Sequence, residues 1–480
     1  MQKNGILSAT IWSAVQRFGG LAISFVSNMV LARLLSPDDF GVLGLVVVFV
    51  GIADTLVDGG LGNALIQKKD LSITDSRTVF TTNLAFSILL FSIVFIFAPL
   101  IERFTNVDNF AIYLRVQSVC ILIKAFYVVN ASTLIRTLRF KENAWVSLLA
   151  HAVATTVAII MAYKGFGVWC LVAKAIIIDF SCCFFYALLS PFKYKISFDI
   201  ASFKTLFGFG LPVALANILE SLYSNIVSFL IGKRYSVKDL GYYNQAYSLE
   251  QIPVYSVSAV INQVFFPFFS RIQDDEQTLK AQFQDTVRTV SFLVYPCLAF
   301  LIFFAEPVIT VVYSSKWLPS VPIFQVLCIT GFFNSLYHLS RSTMKAIGKS
   351  KMLLYTQLIA SILGLLTIGL CLRYSMTVFI WILVFNSLLS YSIVAISVGK
   401  CINYPMTEQI QDFFPSLLIS LVIGFGLLKL STIVQLHLCS IFLILIYGIL
   451  FFVSYYGCHL VFNTKSYQIC KILFLKRIKK

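Results

Sequence analysis

Apolar runs of about 20 residues alternate with short polar breaks along almost the whole chain. Fourteen such runs can be drawn. The first six are 10–33, 41–63, 80–101, 110–134, 145–163 and 166–189. Six more follow at 207–231, 241–268, 287–313, 320–340, 352–373 and 376–399, and a last pair at 413–430 and 437–461. Each is long enough to cross a bilayer as a helix, and the breaks leave no room for a soluble domain. The pattern predicts an all-α polytopic membrane protein.

Within the runs, polar and small residues fall at helical spacing and make single faces. Ser13, Arg17, Gly20, Ser24 and Asn28 share one face of the first run, and Gly51, Asp54, Asp58 and Gly62 one side of the second. At an offset of 200 residues, Asn217, Glu220, Ser224 and Ser228 repeat the first face. Gln251, Ser258 and Asn262 repeat the second. The break between them repeats too: LARLLSPDDFG at 31–41 returns as IGKRYSVKDLG at 231–241, with Ser36, Asp39 and Gly41 matching Ser236, Asp239 and Gly241. Later the offset becomes 208, and Gln117-Ser-Val-Cys-Ile aligns with Gln325-Val-Leu-Cys-Ile. The chain is therefore an internal duplication of six-helix halves. Expected boundaries are 1–200 and 201–402 for the two lobes, 403–462 for two additional spans and 463–480 for a basic tail. An even number of spans per half makes the repeat parallel, which places the expected transport path between the halves.

Composition agrees: 59% of residues are hydrophobic and only 12% charged. The net charge of +16 could suggest nucleic acid, but its bases sit in short loops and the tail. With the N-terminus inside, 24 of the 37 Lys and Arg residues lie in cytoplasmic segments and nine outside. Both termini are thus expected in the cytoplasm, with the tail on the inner membrane surface and no cleaved leader. The eleven cysteines lie mostly in apolar runs without a C-x-x-C pair and read as small buried hydrophobes.

Four cations remain once those in loops and at the ends of the runs are set aside: Arg17, Arg115, Lys124 and Lys174, all in the first half. A cation at mid-span costs about 2.5–3.5 kcal/mol on insertion scales, so each should face protein or water. One reading makes them an anion site suited to a diphosphate, with Asn28 and Asn217 as polar substrate contacts. The competing reading pairs Arg17 with Asp54 or Asp58 and Lys174 with Asp179, and lets Arg115 reach the outer surface. Among the acids, Glu220 and Glu250 lack an obvious cation in their own half and are coupling-ion candidates. Asp54 and Asp58, four apart on one face, could share a proton or cation, or simply neutralise nearby bases. Glu250 could also sit idle in a solvated polar cleft. Asp58-Gly-Gly-Leu-Gly-Asn63 lacks the strand of a nucleotide fingerprint, and its glycines suit close packing or a local break. Tyr242, Tyr243, Tyr247 and Tyr255 could stack on sugars or serve as interfacial bulk. No histidine shows ligand spacing, and no metal, cofactor or enzymatic site is expected.

LARLLSPDDFG at 31–41, VDGGLGNALIQKKD at 57–70 and LGYYNQAYSLEQIP at 240–253 resemble the Wzx-type flippases of the polysaccharide transporter family. So do VFFPFFSRIQDD at 264–275 and KWLPSVPIFQVLCI at 316–329. That family belongs to the multidrug/oligosaccharidyl-lipid/polysaccharide flippase superfamily, and the resemblance spans residues 5–400. It implies two six-helix lobes in a V, with the first and seventh helices facing a central cleft. It implies alternating access, commonly coupled to a proton or sodium gradient, in the bacterial inner membrane. The implied substrate is an undecaprenyl-diphosphate-linked oligosaccharide moved from the inner to the outer leaflet, with membrane lipids and polysaccharide polymerase machinery as further partners. Ser314 and Ser315 depart from the glycine that relatives often carry before the Lys-Trp pair, which bears on loop geometry alone. The rivals are a multidrug antiporter, which would favour an acidic cleft, a membrane polymerase or ligase, which should carry a large outer loop, and a non-transporting scaffold.

Overall fold

The computed structural model describes residues 2–58, 61–68, 71–189, 195–260, 269, 272, 275–434, 440–469 and 471. Side chains at 2–10, 58, 63, 67, 208–217, 220, 257–260, 350, 434 and 440 lie outside the description. Every regular element among the described residues is helical. In lipid this follows directly, because each backbone amide must find its partner within its own segment.

Met1–Asn244 forms one compact unit and Gln245–Lys480 a second. The first contains α1 (Gln2–Leu34), α2 (Pro37–Asp58), α3 (Leu61–Gln67), α4 (Ile73–Thr105) and α5 (Phe110–Arg136). It continues with α6 (Phe140–Tyr163), α7 (Val168–Leu189), α8 (Ile200–Arg234) and the first turns of α9 (Val237–Val260). The rest of α9 opens the second unit, followed by α10 (Glu276–Phe303) and α11 (Ala305–Val312). A 3-10 turn at Ser315–Ser320 leads into α12 (Val321–Ala346), α13 (Ser350–Cys371), α14 (Met376–Ile402), α15 (Met406–Val434) and α16 (Ser440–Val461).

Twelve stretches among the described residues are long and apolar enough to cross a membrane. The expected seventh and eighth spans fall on α8 and α9, which are helical where described. Outward faces carry large apolar side chains, such as Ile93, Ile96, Phe97 and Leu100 on α4. A contiguous apolar surface of this kind is unsuited to water and fits lipid. This is a multi-pass membrane protein.

The duplication read from the sequence reappears in the packing. In the first unit α5 packs on α4 and α7, and α6 on α7; in the second, α12 packs on α10 and α14, and α13 on α14. The repeated Ser and Asp of the two loops have a local cause. Ser36 Oγ donates to Asp39 Oδ2 at 2.7 Å and accepts from the Asp39 amide at 3.2 Å. Ser236 and Asp239 do the same at 2.7 and 2.9 Å. Each Ser thus ties off the amide end of the following helix. The repeated glycine is a close approach between the two copies. A Cβ on Gly41 would meet the Val237 carbonyl oxygen at 1.8 Å, and one on Gly241 the Pro37 carbonyl at 1.9 Å.

From that crossing, α2 and α8 run antiparallel. Gly232 packs on Leu45, the Phe49 and Phe229 rings meet edge to face at 5.9 Å, and Thr55 Oγ1 donates to Ser221 Oγ at 3.1 Å. α2, to Asp58, and α3, from Leu61, cover the run expected over 41–63 where it is described. The run expected over 287–313 is divided between Phe303 and Ala305.

Candidate functional site

Three ionisable residues of the first unit, Asp54, Lys124 and Asp179, come together where α2, α5 and α7 pack. Lys124 of α5 forms an ion pair with Asp54 Oδ2 of α2, and both side chains are partly buried. Three residues along α5, Tyr127 donates its hydroxyl to Asp179 Oδ1 of α7 at 2.9 Å, and Asp179 is buried. Asp54 Oδ1 is buried and accepts no hydrogen bond. Two carboxyl groups thus lie within electrostatic reach of one ammonium, which pairs with Asp54, and the group carries a net negative charge if all three ionise.

A polar ladder extends from this point. The Tyr127 and Tyr186 rings stack at 5.8 Å, Tyr186 Oη donates to Asn143 Oδ1 at 2.6 Å, and Asn143 Nδ2 donates to Gln16 Oε1 at 3.0 Å. Gln16 precedes Arg17 on α1. Arg17 itself is exposed and makes no ion pair among the described residues. Half-buried Lys174 donates to Ser27 Oγ of α1 at 2.7 Å and has no carboxylate partner among the described residues. Ser27 is ten residues, about 15 Å along the helix, from Arg17. Asn28 lies beside it and is half-buried. Arg115 places its guanidinium 4.8 Å from the Phe95 ring centre and donates Nε to the Phe95 carbonyl at 3.1 Å.

Of the pairings the sequence allowed, Arg17 with Asp54 and Lys174 with Asp179 do not form. Asp54 has taken Lys124, and Asp179 is held by Tyr127. Lys124 is thus not an uncommitted cation, whereas Arg17 and Lys174 keep their charge unpaired among the described residues. The side chains of Asp58, Asn217 and Glu220 lie outside the described residues.

In the second unit, Glu250 is fully buried rather than set in a solvated cleft. Gln251 Nε2 donates to its Oε2 at 2.8 Å, and its Oε1 has no hydrogen-bond partner. Tyr242 and Tyr243 are buried, while Tyr247 and Tyr255 are exposed. Among the described residues no cluster of His, Cys, Asp and Glu could hold a metal ion. Sequence reasoning missed Tyr127, Ser27 and the Asn143–Tyr186 ladder. Asn143 falls just before the run that begins at 145, and nothing along the chain marks it or its partners.

The sequence model of the family described as polysaccharide biosynthesis protein matches residues 30–322. The chain belongs to that family. This family member is 25% identical over 336 residues to the lipopolysaccharide biosynthesis protein WzxC of Escherichia coli (strain K12), covering 69% of this chain and 68% of the relative. It is 23% identical over 393 residues to the succinoglycan biosynthesis transport protein ExoT of Rhizobium meliloti (strain 1021), covering 79% and 78%. Its fold is that of the lipid II flippase MurJ in its inward closed conformation, with a TM-score of 0.73 at 18% identity over 95% of this chain and 99% of the other.

Proposed function

We propose that this chain is a flippase of the bacterial cytoplasmic membrane. It moves undecaprenyl-diphosphate-linked oligosaccharide, a precursor of surface polysaccharide, from the inner to the outer leaflet by alternating access. The cargo crosses chemically unchanged, and both termini lie in the cytoplasm. Membership of the polysaccharide biosynthesis family, relatives named for lipopolysaccharide synthesis and succinoglycan transport, and the likeness in fold to a lipid II flippase support this reading.

The observation that carries it is the unequal commitment of the cations in the first unit. Lys124 is neutralised by Asp54, but Arg17 and Lys174 face no carboxylate among the described residues. A cation kept in a membrane helix without a counter-ion is expensive unless a ligand supplies the charge. A diphosphate offers several anionic oxygens, enough to engage a guanidinium and an ammonium separately. Asn28, on the same face as Arg17, adds an amide that can donate to phosphate or sugar.

The test is deletion of the gene, followed by measurement of which leaflet accumulates lipid-linked oligosaccharide. Accumulation in the inner leaflet is expected, with rescue by the wild type and not by an Arg17→Ala/Lys174→Met double variant. Rescue by Lys124→Met would fit its commitment to Asp54. Oligosaccharide that still reaches the outer leaflet but is not polymerised would overturn the proposal in favour of an enzyme.

A further inference from the structure

The two halves treat an equivalent intramembrane acid differently. In the first half, an acid on the second helix of the repeat, Asp54, meets an amine on the fifth element, Lys124. In the second half the acid lies one turn earlier, since the 200-residue offset carries Asp54 to position 254 and the acid is Glu250. It too faces the corresponding helix, α12. The 208-residue offset that aligns Gln117 with Gln325 carries Lys124 to position 332, which is Phe. The residue against the carboxyl is its neighbour, Gly331, where a Cβ would stand 2.6 Å from Glu250 Oε1. The second half carries a carboxyl here and no cation at the matching position.

The environment offers no substitute. Gln251 on its own helix gives Oε2 one hydrogen bond, and Cys328 on α12 is the titratable group that reaches Glu250 among the described residues. Removing a carboxylate from water without a counter-charge costs far more than removing the neutral acid. We propose that Glu250 is a proton-binding site, with the proton standing where the first half places the Lys124 ammonium. Oε2 is occupied as an acceptor, so the proton joins Oε1, converting the carboxylate to the acid with no other bond changed. Gly331 leaves the space that this oxygen occupies. Ionisation would leave an unpaired charge between α9 and α12 and drive the two apart until water or a cation reaches Oε1. A proton gradient could act on the transport cycle through this step. That consequence rests on the flippase reading; the proton site does not.

The experiment uses the full chain in lipid nanodiscs, with infrared difference spectra of wild type, Glu250→Gln and Gly331→Ala. At about pH 7 the wild type should show the carbonyl stretch of a protonated carboxylic acid, and Glu250→Gln should lose it. In Gly331→Ala, where the new methyl presses on Oε1, the band should shift in frequency. A band that survives in Glu250→Gln would belong to a different acid and overturn the assignment, and an unshifted band in Gly331→Ala would overturn the placement of the proton on Oε1. Ionisation of Glu250 from about pH 5 upward, or loss of the band on adding sodium at constant pH, would do the same. In proteoliposomes, collapsing an imposed pH gradient should slow translocation by the wild type and leave the Glu250→Gln rate unchanged. Failure of the wild type to move any lipid-linked oligosaccharide would defeat the transport reading and leave the infrared result to decide the site.

Discussion

Replacing Gly41 or Gly241 by Ala tests how the duplicated loops hold together. The added methyl would lie 1.8 Å from the Val237 carbonyl oxygen in one case and 1.9 Å from the Pro37 carbonyl oxygen in the other. An ordinary carbon–oxygen contact is about 3.3 Å, so the two helix ends must part by about 1.5 Å. Neither obstacle is the end of a flexible side chain. A gap of that size forfeits more than half of the dispersion attraction between the atoms that line it. Overpacking of this kind costs about 1–3 kcal/mol, and two rigid backbones in contact put each substitution near 3 kcal/mol. Because one separation makes room for both methyls, the double variant should cost about as much as either single one. The cycle should then show a coupling of about 2–3 kcal/mol. The assay is reversible unfolding in mild detergent, with Gly20→Ala as control. A Cβ there meets nothing within 4 Å, so that change should be neutral or stabilise by up to about 1 kcal/mol. Strict additivity, or single variants within about 0.5 kcal/mol of wild type, would refute the reasoning.

Lys124→Met should cost about 2–3 kcal/mol in the same assay, because it strands Asp54 beside a second carboxyl at Asp179. Its partial exposure sets the low end of that range. Lys124→Met/Asp54→Leu should recover most of the loss, and a double variant as unstable as the sum of the singles would show that the pair is not coupled. At the entrance to α8, Ser202 donates its amide to Asp199 Oδ2 at 2.8 Å, which holds this carboxyl below its ordinary range. A lowered value means that the cap is fully present above the ordinary carboxylate value of about 3.9 and is lost as pH falls through the lowered one. Protection of the Ser202 and Phe203 amides from hydrogen exchange should therefore fall in strong acid, and Asp199→Asn should flatten that dependence.

The sequence by itself determined the helices, their duplication and the loops that join them. Runs long enough to span a bilayer can satisfy their backbone only as helices, and the constant offset in Ser, Asp and Gly is still legible along the chain. It also placed Arg17 with Ser24 and Asn28, and Asp54 with Gly51, because helical spacing fixes which residues of one helix share a face. Tertiary structure alone decided the partners. Lys124 found Asp54 rather than leaving it to Arg17, and Tyr127 claimed Asp179 before Lys174 could. Glu250, which could have been read as solvated, is enclosed against Gly331. The rotation and depth of one helix against another are set by packing among residues far apart in sequence. A pattern read along a single helix carries no record of them.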